Sequence, residues 1–408
     1  MKKYSYLLAA LSILTVVAYS CKKEATEYIR LSEPDLPAID YNYTNVPLPL
    51  HFTFSSNNLE TTTIGDISPS SNPMTDAGAT LGRVLFYDRN LSLNNVISCG
   101  SCHKQQFAFS DGQQFSKGFE LVETPRNSMA ISNAAFQNQY FWDLRATKLE
   151  LQVLMPVKNH IEMGMEKIEL LPGKLQKLNY YPALFKKAFG SEEITGQRIS
   201  KAMAQFIRAI VSSKSKWDEG LVIEDLTGKL SHNNFTVQEQ LGEKLFEEKN
   251  CTNCHSGEQF RPTWGNAAAN IGLDLEYADN GMGDRTDGEN DSNGNGNNFS
   301  DMKGYFQVPS LRNIALTAPY MHDGRFKTLD EVIEHYNSGI KAHPNLDWSL
   351  RESQPNPLGG GENTDLAIIP IRMNLSQADK QAIIAYLKTL SDESFITDAK
   401  FSDPFVKR

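Results

Sequence analysis

Apolar residues recur at helical spacing in several segments of this 408-residue chain. Residues 198–212 and 376–390 each place apolar side chains three or four positions apart, which predicts two amphipathic α-helices. Ser376 and Asp379 have the spacing of a residue that caps a helix and an acidic residue in its first turn. Strands would need apolar and polar residues to alternate, and no convincing run of that kind occurs. The pattern therefore predicts a mostly α-helical fold.

A short helical pattern occurs twice. Residues 81–86 (LGRVLF) and 241–246 (LGEKLF) both read L-G-x-x-L-F, which puts apolar side chains at positions i and i+4 of a helix. Thr236 and Glu239 have the spacing of a capping box and would start the second of these helices. Each copy precedes a cysteine motif in the same order, so we interpret the two copies as a duplicated structural unit.

Composition narrows the class of protein. The chain has 40 basic and 49 acidic side chains, a net charge of −9, and is 40% hydrophobic and 10% aromatic. This content is ample for a buried core and argues against wholesale disorder. Because the balance is acidic and no long basic run occurs, the chain lacks the electrostatic pattern of a nucleic-acid-binding protein. We therefore expect a globular protein without a nucleic-acid partner.

Four of the five cysteines predict the chemistry. They fall into two C-x-x-C-H motifs, and this is the attachment signature of haem c. Two thiols on one turn reach the two vinyl groups of one haem, and the next imidazole becomes the proximal ligand of the iron. A four-cysteine zinc site, two redox-active pairs or two short disulfides would leave the histidines unexplained. Two covalently bound haem c groups are predicted, held by Cys99, Cys102, His103, Cys251, Cys254 and His255.

The fifth cysteine, Cys21, follows a cationic start, an apolar middle and a small-residue exit over residues 1–20. This pattern predicts a signal peptide too short to span a membrane, and the residues before Cys21 resemble a lipobox. An ordinary signal peptide cut nearby is the alternative. We expect export to the periplasm and attachment to a membrane only by a lipid on Cys21. Residues 21–70, polar and rich in proline at their start, are predicted to form a tether that is at most partly ordered.

Further sequence blocks lie in a fixed order around the haem motifs. Together they resemble the bacterial di-haem cytochrome c peroxidase family, which includes the related enzyme that matures methylamine dehydrogenase. The resemblance spans roughly residues 75–390, and its blocks are residues 81–88, 125–127, 141–145, 162–164, 308–313 and 317–325. It implies two cytochrome c-like haem domains packed against each other.

The resemblance also implies a division of labour between these domains. The N-terminal domain, residues 71–228, would react with hydrogen peroxide, and the C-terminal domain, residues 229–392, would receive electrons from an outside donor. The junction would lie near residues 224–234, and residues 393–408 would form a tail. Cytochrome c or a cupredoxin is the expected donor, and a homodimer is one of the assemblies that the sequence leaves open.

Residues of the family's reaction path match positions in this chain. Trp142 matches the tryptophan between the haems, where it would carry electrons; without the resemblance, one tryptophan would be interpreted as a core aromatic. Gln152 and Glu162 match the polar pair of the peroxide pocket, which Pro156 shapes. A carboxylate of raised pKa can carry a proton between the two peroxide oxygens, and an amide can orient them.

Calcium is the second expected cofactor. The family's calcium site between the domains matches Asn127, Thr317 and Pro319, where carbonyl and amide oxygens suit a hard cation. Residues 279–300 form a loop dense in Asp, Asn and Gly, within which residues 291–296 match the first half of an EF-hand loop. However, Met302 stands where that motif needs a bidentate glutamate. A solvated insertion is therefore the favoured interpretation of this loop.

Two departures from the family pattern carry predictions. Phe119 stands where typical members place a second histidine on the peroxidatic haem, so we expect an N-terminal haem with an open or water-bound position. Tyr336 stands where the usual methionine ligand of the other haem falls, and a phenolate would stabilise ferric iron and lower the potential. Met321 is the second candidate for this ligand and His335 the third. A buried core phenol remains the alternative for Tyr336.

The predicted function is an exported di-haem peroxidase that reduces hydrogen peroxide to water with electrons from a small redox protein. Peroxide-dependent oxidation of a protein or organic substrate by a high-valent di-haem is a second interpretation, favoured by Phe119 and Tyr336. A non-catalytic di-haem electron carrier is the third.

Overall fold

The computed structural model describes residues 30–53, 62–223, 230–262, 268–273, 303–352 and 368–407. Residues 36–403 belong to one compact unit, and the described residues outside this range belong to a second. In that second unit, Arg30 pairs with Val406 in an antiparallel bridge, and the Leu31 N–H donates to the Phe405 carbonyl over 2.6 Å. Both predicted haem domains fall within residues 36–403.

The described residues are mostly helical, which confirms the predicted fold class. In chain order the helices are α1 (Leu50–Thr53), α2 (Asp76–Tyr87), α3 (Cys99–Cys102), α4 (Leu149–Gln152), α5 (Met155–Lys158), α6 (Leu171–Leu175), α7 (Tyr180–Phe189), α8 (Gly196–Ala209), α9 (Lys216–Gly220), α10 (Val237–Glu248), α11 (Leu329–Glu334) and α12 (Gln377–Lys388). Two short antiparallel pairs are β1 (Leu221–Ile223) with β2 (Leu230–His232) and β3 (Ala268–Ala269) with β4 (Phe306–Gln307).

The two helices predicted from apolar spacing are observed as α8 and α12. Ser376 caps α12 by accepting from the Asp379 N–H over 3.2 Å, and the Asp379 carboxylate accepts from the Ser376 N–H over 2.9 Å. Helix α8 ends at Ala209, earlier than predicted. The reason is a long-range bond: the Ile210 carbonyl accepts from the Asn133 N–H over 2.8 Å, so the chain leaves the helix there.

The repeated L-G-x-x-L-F pattern forms two equivalent helix crossings, because α2 packs on α8 and α10 packs on α12. A methyl group on Gly82 would overlap the Ala202 carbonyl, and one on Gly242 would overlap the Ala382 carbonyl. Each glycine therefore lets two helices approach at main-chain distance, while the Leu-Phe pair that ends each motif is buried. Thr236 forms the predicted capping box at the start of α10. These shared crossings support the interpretation of a duplicated unit.

The described part of the predicted tether is packed, contrary to expectation. Tyr43 is 1% exposed, its hydroxyl donates to the Lys400 carbonyl over 2.7 Å, and its main-chain N–H donates to the Asp76 carboxylate over 2.8 Å. Leu48 is also buried. Polar composition suggested a linker, but a few buried apolar side chains and long-range hydrogen bonds hold residues 36–53 and 62–70 within the compact unit.

The first part of the predicted tail, residues 393–408, packs against the N-terminal haem domain. Phe395 and Phe401 are buried. The Gln105 side-chain amide, which follows the first haem motif, donates to the Phe395 and Asp398 carbonyls over 2.8 and 2.9 Å. Residues 395–401 therefore support the region around the first haem motif.

Several predictions concern residues that the structure does not describe. The signal peptide over residues 1–20, Cys21 and the loop of residues 279–300 lie outside the described ranges. The predicted junction near residues 224–234 coincides in part with the β1–β2 pair, and residues 224–229 are likewise outside. In the described part of the chain, no helix combines the length and apolar character needed to cross a bilayer.

Candidate active site

The first haem motif lies at the wall of a cavity of about 680 Å³. Helix α3 carries both cysteines, and Cys99, Cys102 and His103 all line the cavity. The Nδ1 atom of His103 lies 3.0 Å from the Phe109 carbonyl. Nδ1 therefore donates to this carbonyl, and Nε2 is the nitrogen left to bind a metal.

The second haem motif has the same arrangement at a cavity of about 220 Å³. Cys251 begins a 3₁₀ turn, and Cys251, Cys254 and His255 line the cavity. The Nδ1 atom of His255 lies 3.1 Å from the Phe260 carbonyl. Phe109 and Phe260 both have left-handed backbone, with φ angles of 63° and 50°, so the two acceptor loops share an uncommon conformation.

The residues that line both cavities suit haem c. The cavity walls are mainly apolar, and none of the four cysteines is paired in a disulfide. Burial lowers the pKa of His255 to about 4 and also lowers the pKa of His103, so both imidazoles are neutral, as iron ligands must be. The residues predicted from motif spacing are therefore brought together as haem c attachment requires.

The polar pair predicted for the peroxide pocket borders the same cavity as His103. Gln152 ends α4, Pro156 lies in α5 and Glu162 lies in the loop that follows, and all three line the cavity. Burial raises the pKa of the Glu162 carboxyl, and the Arg145 guanidinium partly opposes this rise. The carboxyl can therefore exchange a proton closer to neutral pH than an exposed glutamate can.

Glu162 also borders an outer pocket of about 250 Å³ that opens to solvent. Arg145, Lys158, His160 and Glu166 line this pocket with it. Glu162 thus contacts both the haem cavity and a solvent-facing space. This position suits a group that passes protons inward.

Main-chain hydrogen bonds hold Glu162 in place. Its N–H donates to the Asn159 side-chain oxygen over 3.1 Å, and its carbonyl accepts from the Phe119 N–H over 2.8 Å. Gly164 has a φ of 72°, and a side chain there would collide with the Phe119 ring. Sequence reasoning did not single out Arg145 and Asn159 as supports of Glu162, although Asn159 stands only three positions before it and Arg145 lies in the block of residues 141–145.

Phe119 is 8% exposed and does not line the haem cavity. Among the described residues that do line it, His103 is the only histidine. Phe119 therefore lies away from the cavity wall, contrary to its alignment with the ligand position, and the open position opposite His103 stays a prediction.

Trp142 borders both haem cavities. Its indole N–H donates to the Asn127 carbonyl over 2.9 Å, and its ring lies edge-on to the His322 ring with centroids 6.4 Å apart. His322 in turn stacks on Phe306 with centroids 3.6 Å apart. Trp142 therefore lies between the two cavities; His322 beside it falls within the sequence block of residues 317–325, whereas no sequence signal pointed to Phe306.

Two of the three candidates for the second ligand of the C-terminal haem line its cavity: Tyr336 and Met321. Tyr336 lies in a π-helical turn, His335–Gly339, a rare conformation that occurs frequently at functional sites. Burial raises its pKa above the usual value. His335 does not line the cavity, and its Nε2 atom lies 2.9 Å from the Ile271 carbonyl, which argues against it as the ligand.

The three residues predicted to bind calcium, Asn127, Thr317 and Pro319, line the C-terminal cavity together. The Asn127 amide nitrogen donates to the Gln113 and Gln114 carbonyls over 2.9 and 3.1 Å, so its side-chain oxygen is the atom left to face a cation. Clusters of three or more His, Cys, Asp or Glu that could hold a metal are absent from the described ranges.

Known proteins are similar to this chain in both sequence and fold. Residues 76–225 match the model of the di-haem cytochrome c peroxidase family. The chain is 32% identical to the methylamine utilization protein MauG of Methylophilus methylotrophus over 73% of this chain and 83% of that protein. It is 34% identical to cytochrome c551 peroxidase of Nitrosomonas europaea over 63% of this chain and 71% of that protein.

A solved structure shows the same relationship in three dimensions. The crystal structure of a MauG-like protein associated with microbial copper homeostasis is 33% identical, with a TM-score of 0.67 over 83% of this chain and 95% of that one. The di-haem peroxidase BthA of Burkholderia thailandensis, 20% identical with a TM-score of 0.62, has the same fold. The chain therefore belongs to the di-haem cytochrome c peroxidase family and is an oxidoreductase with two haem c groups.

Proposed function

We propose that this chain reduces hydrogen peroxide to water at the N-terminal haem, with two electrons that a small redox protein delivers through the C-terminal haem. The observation that carries the proposal is the placement of Glu162 and Gln152 around the cavity of His103. Trp142, which borders this cavity and the second one, supports it. The bound irons supply the oxidation–reduction chemistry, while the chain supplies proton transfer, orientation and the electron path.

Glu162 and Gln152 have separate roles in this proposal. The Glu162 carboxylate takes a proton from one peroxide oxygen and returns it to the other, which leaves as water. The Gln152 amide orients the peroxide by hydrogen bonding. Further protons reach Glu162 through the outer pocket lined by Lys158 and His160. Overall, one hydrogen peroxide, two protons and two electrons give two waters.

The electron path through Trp142 provides the test of the whole proposal. We expect Trp142→Phe to lower steady-state peroxide reduction by reduced cytochrome c at least tenfold, because electron tunnelling weakens steeply when the larger ring is removed. The reaction of the N-terminal haem with peroxide in a single turnover should persist. Trp348→Phe is the matched control, since Trp348 is 68% exposed and lines neither cavity. Equal steady-state rates in both variants would exclude Trp142 from the path.

Peroxide-dependent oxidation of a protein or organic substrate is the second candidate function. It is favoured by the described wall of the first cavity, which contains one histidine, and by the similarity to MauG proteins. Turnover with peroxide and reduced cytochrome c separates peroxide reduction from a non-catalytic electron carrier, which would consume no peroxide. Accumulation of a stable oxidised state after peroxide addition, without such turnover, would favour the second candidate.

A calcium ion held by Asn127, Thr317 and Pro319 is a further part of the proposal, supported by their shared position on one cavity wall. Because Asn127 also accepts the Trp142 hydrogen bond, losing the ion should disturb the electron path. We expect chelation to lower steady-state turnover and added calcium to restore it, while magnesium should not, since calcium accepts the larger and less regular oxygen sites. Unchanged turnover in a sample shown to be calcium-free would contradict this part.

We also propose that the chain is exported and anchored in a membrane through a lipid on Cys21, on the pattern of residues 1–21. Cys21→Ala, or growth with globomycin, should block processing of the precursor and change its membrane association. Normal processing and unchanged membrane association under both treatments would refute lipidation.

A further inference from the structure

Arg312 and Asp218 form a buried ion pair near the second haem motif. Two guanidinium nitrogens donate to the two carboxylate oxygens over 2.9 Å each, and the side chains are 1% and 3% exposed. Burial alone would raise the pKa of Asp218, but hydrogen bonding to His51 and the charge of Arg312 hold it well below its usual value. Burying two charged side chains costs desolvation free energy, and apolar residues of similar volume often stabilise a core as well as a buried ion pair does. A role in geometry therefore explains the pair better than stability does.

The third nitrogen of the Arg312 guanidinium reaches the loop that supports the proximal histidine. Its Nε atom donates to the Glu258 carbonyl over 2.6 Å. Two residues further along, the Phe260 carbonyl lies 3.1 Å from His255 Nδ1. The Arg312 guanidinium also lies 6.0 Å from the centre of the Phe260 ring. Arg312 thus holds the main chain two residues before Phe260 and lies within cation–π distance of the Phe260 ring.

The network extends into residues 36–53, which sequence reasoning had placed in the tether. His51 Nε2 lies 2.8 Å from a carboxylate oxygen of Asp218, and the Phe52 ring centre lies 4.5 Å from the Arg312 guanidinium. The Ser215 hydroxyl donates to the other carboxylate oxygen over 2.6 Å. Asp218 is therefore held by the cap of its own helix and by two distant segments, those of His51 and Arg312.

We propose that His51, Asp218 and Arg312 are positioning residues that set the strength of the His255–Phe260 hydrogen bond and, through it, the reduction potential of the C-terminal haem. A carbonyl that accepts from Nδ1–H makes the imidazole a stronger donor to iron and stabilises the ferric state. Loosening the network lengthens this hydrogen bond, so the potential rises. The inference rests on the proposed function only in that His255 binds the second haem.

The N-terminal haem motif is held by other groups, so the effect is specific to one haem. Lys104 pairs with Asp111, and the Ser116 hydroxyl donates to the Asp111 carboxylate over 2.5 Å. Phe109, whose carbonyl faces His103, stacks on Phe395 with centroids 6.0 Å apart. None of these contacts involves Arg312, Asp218 or His51.

Three variants of the full-length holoprotein test the inference: Asp218→Asn, Arg312→Lys and His51→Gln. For each, the potentials of both haems are measured by optical redox titration, and the ferric C-terminal haem is examined by EPR. All three should raise the potential of that haem and shift its g-values, with His51→Gln giving the smallest change. Arg312→Lys keeps the charge but loses the planar fork, so a rise there separates positioning from simple electrostatics.

Glu150→Gln is the matched control, because Glu150 forms a similar two-pronged pair with Arg208, over 2.7 and 3.0 Å, in the N-terminal domain. It should leave the potential and g-values of the C-terminal haem unchanged. The inference would be overturned if Arg312→Lys and His51→Gln retained both haems and the C-terminal haem kept its wild-type potential and g-values. If the wild-type protein itself showed no histidine-ligated second haem, the proposed function would fail instead, so the two failures are distinguishable.

Discussion

Replacing Glu162 with glutamine is expected to lower kcat for peroxide reduction by about 10²–10⁴-fold, the usual contribution of a positioned acid–base group. The amide keeps the size of the side chain but cannot take up and return a proton. Both haems should remain attached, because Glu162 belongs to neither C-x-x-C-H motif. Steady-state kinetics with peroxide and reduced cytochrome c, together with haem quantification, measure both outcomes.

The pH dependence gives an independent check on Glu162. Burial raises its pKa, and the reaction needs the carboxylate form, so activity should fall as the pH drops through this raised pKa. The loss of activity at low pH should therefore occur at a higher pH than an ordinary glutamate would give. This loss should be absent from the pH profile of the residual activity of Glu162→Gln. Glu166→Gln, in the same outer pocket, is the control and should keep this loss of activity at low pH. Near-normal turnover in Glu162→Gln would remove this residue from the mechanism.

Replacing Tyr336 with phenylalanine is expected to raise the reduction potential of the C-terminal haem by a substantial part of the roughly 0.8 V over which axial ligands set haem potentials. We propose Tyr336 as the second ligand because it lines the cavity of His255 within a π-helical turn. An anionic phenolate stabilises ferric iron more than a thioether or water does. Redox titration and EPR of the ferric protein measure the change of ligand.

Met321 provides the comparison for this prediction, since it lines the same cavity. Met321→Leu should leave the potential and the ferric spectrum unchanged if Tyr336 is the ligand. A methionine-to-iron charge-transfer band in the oxidised wild-type protein that survives in Tyr336→Phe would identify Met321 instead and refute tyrosine ligation.

Both halves of the chain place the proximal histidine in the same way, and this similarity has a structural origin. Each imidazole donates to the carbonyl of a phenylalanine with left-handed backbone, Phe109 or Phe260. Each haem motif follows a helix whose glycine, Gly82 or Gly242, permits a close crossing. The duplicated unit thus includes the anchor of each histidine as well as the helix pair. The two halves differ in the side chains that pack around this phenylalanine and hold its loop.

Much of the candidate site could be predicted from the sequence because it depends on neighbours along the chain. The spacing within each C-x-x-C-H motif fixes two thiols and an imidazole on one turn. The caps of α10 and α12 form between residues three positions apart, as expected. The resemblance to a family then supplied Glu162, Gln152 and Trp142, and these residues do border the cavities where they were expected.

Other features depend on residues far apart in the chain and became visible only in the folded molecule. Phe119 packs against Gly164 and not into the haem cavity, and the π-helical turn brings Tyr336, not His335, to the cavity wall. The Asp218–Arg312 pair joins residues 94 positions apart. Periodicity and motif spacing report interactions within a few positions, whereas these contacts form only when the helices and loops pack, so no local pattern encodes them.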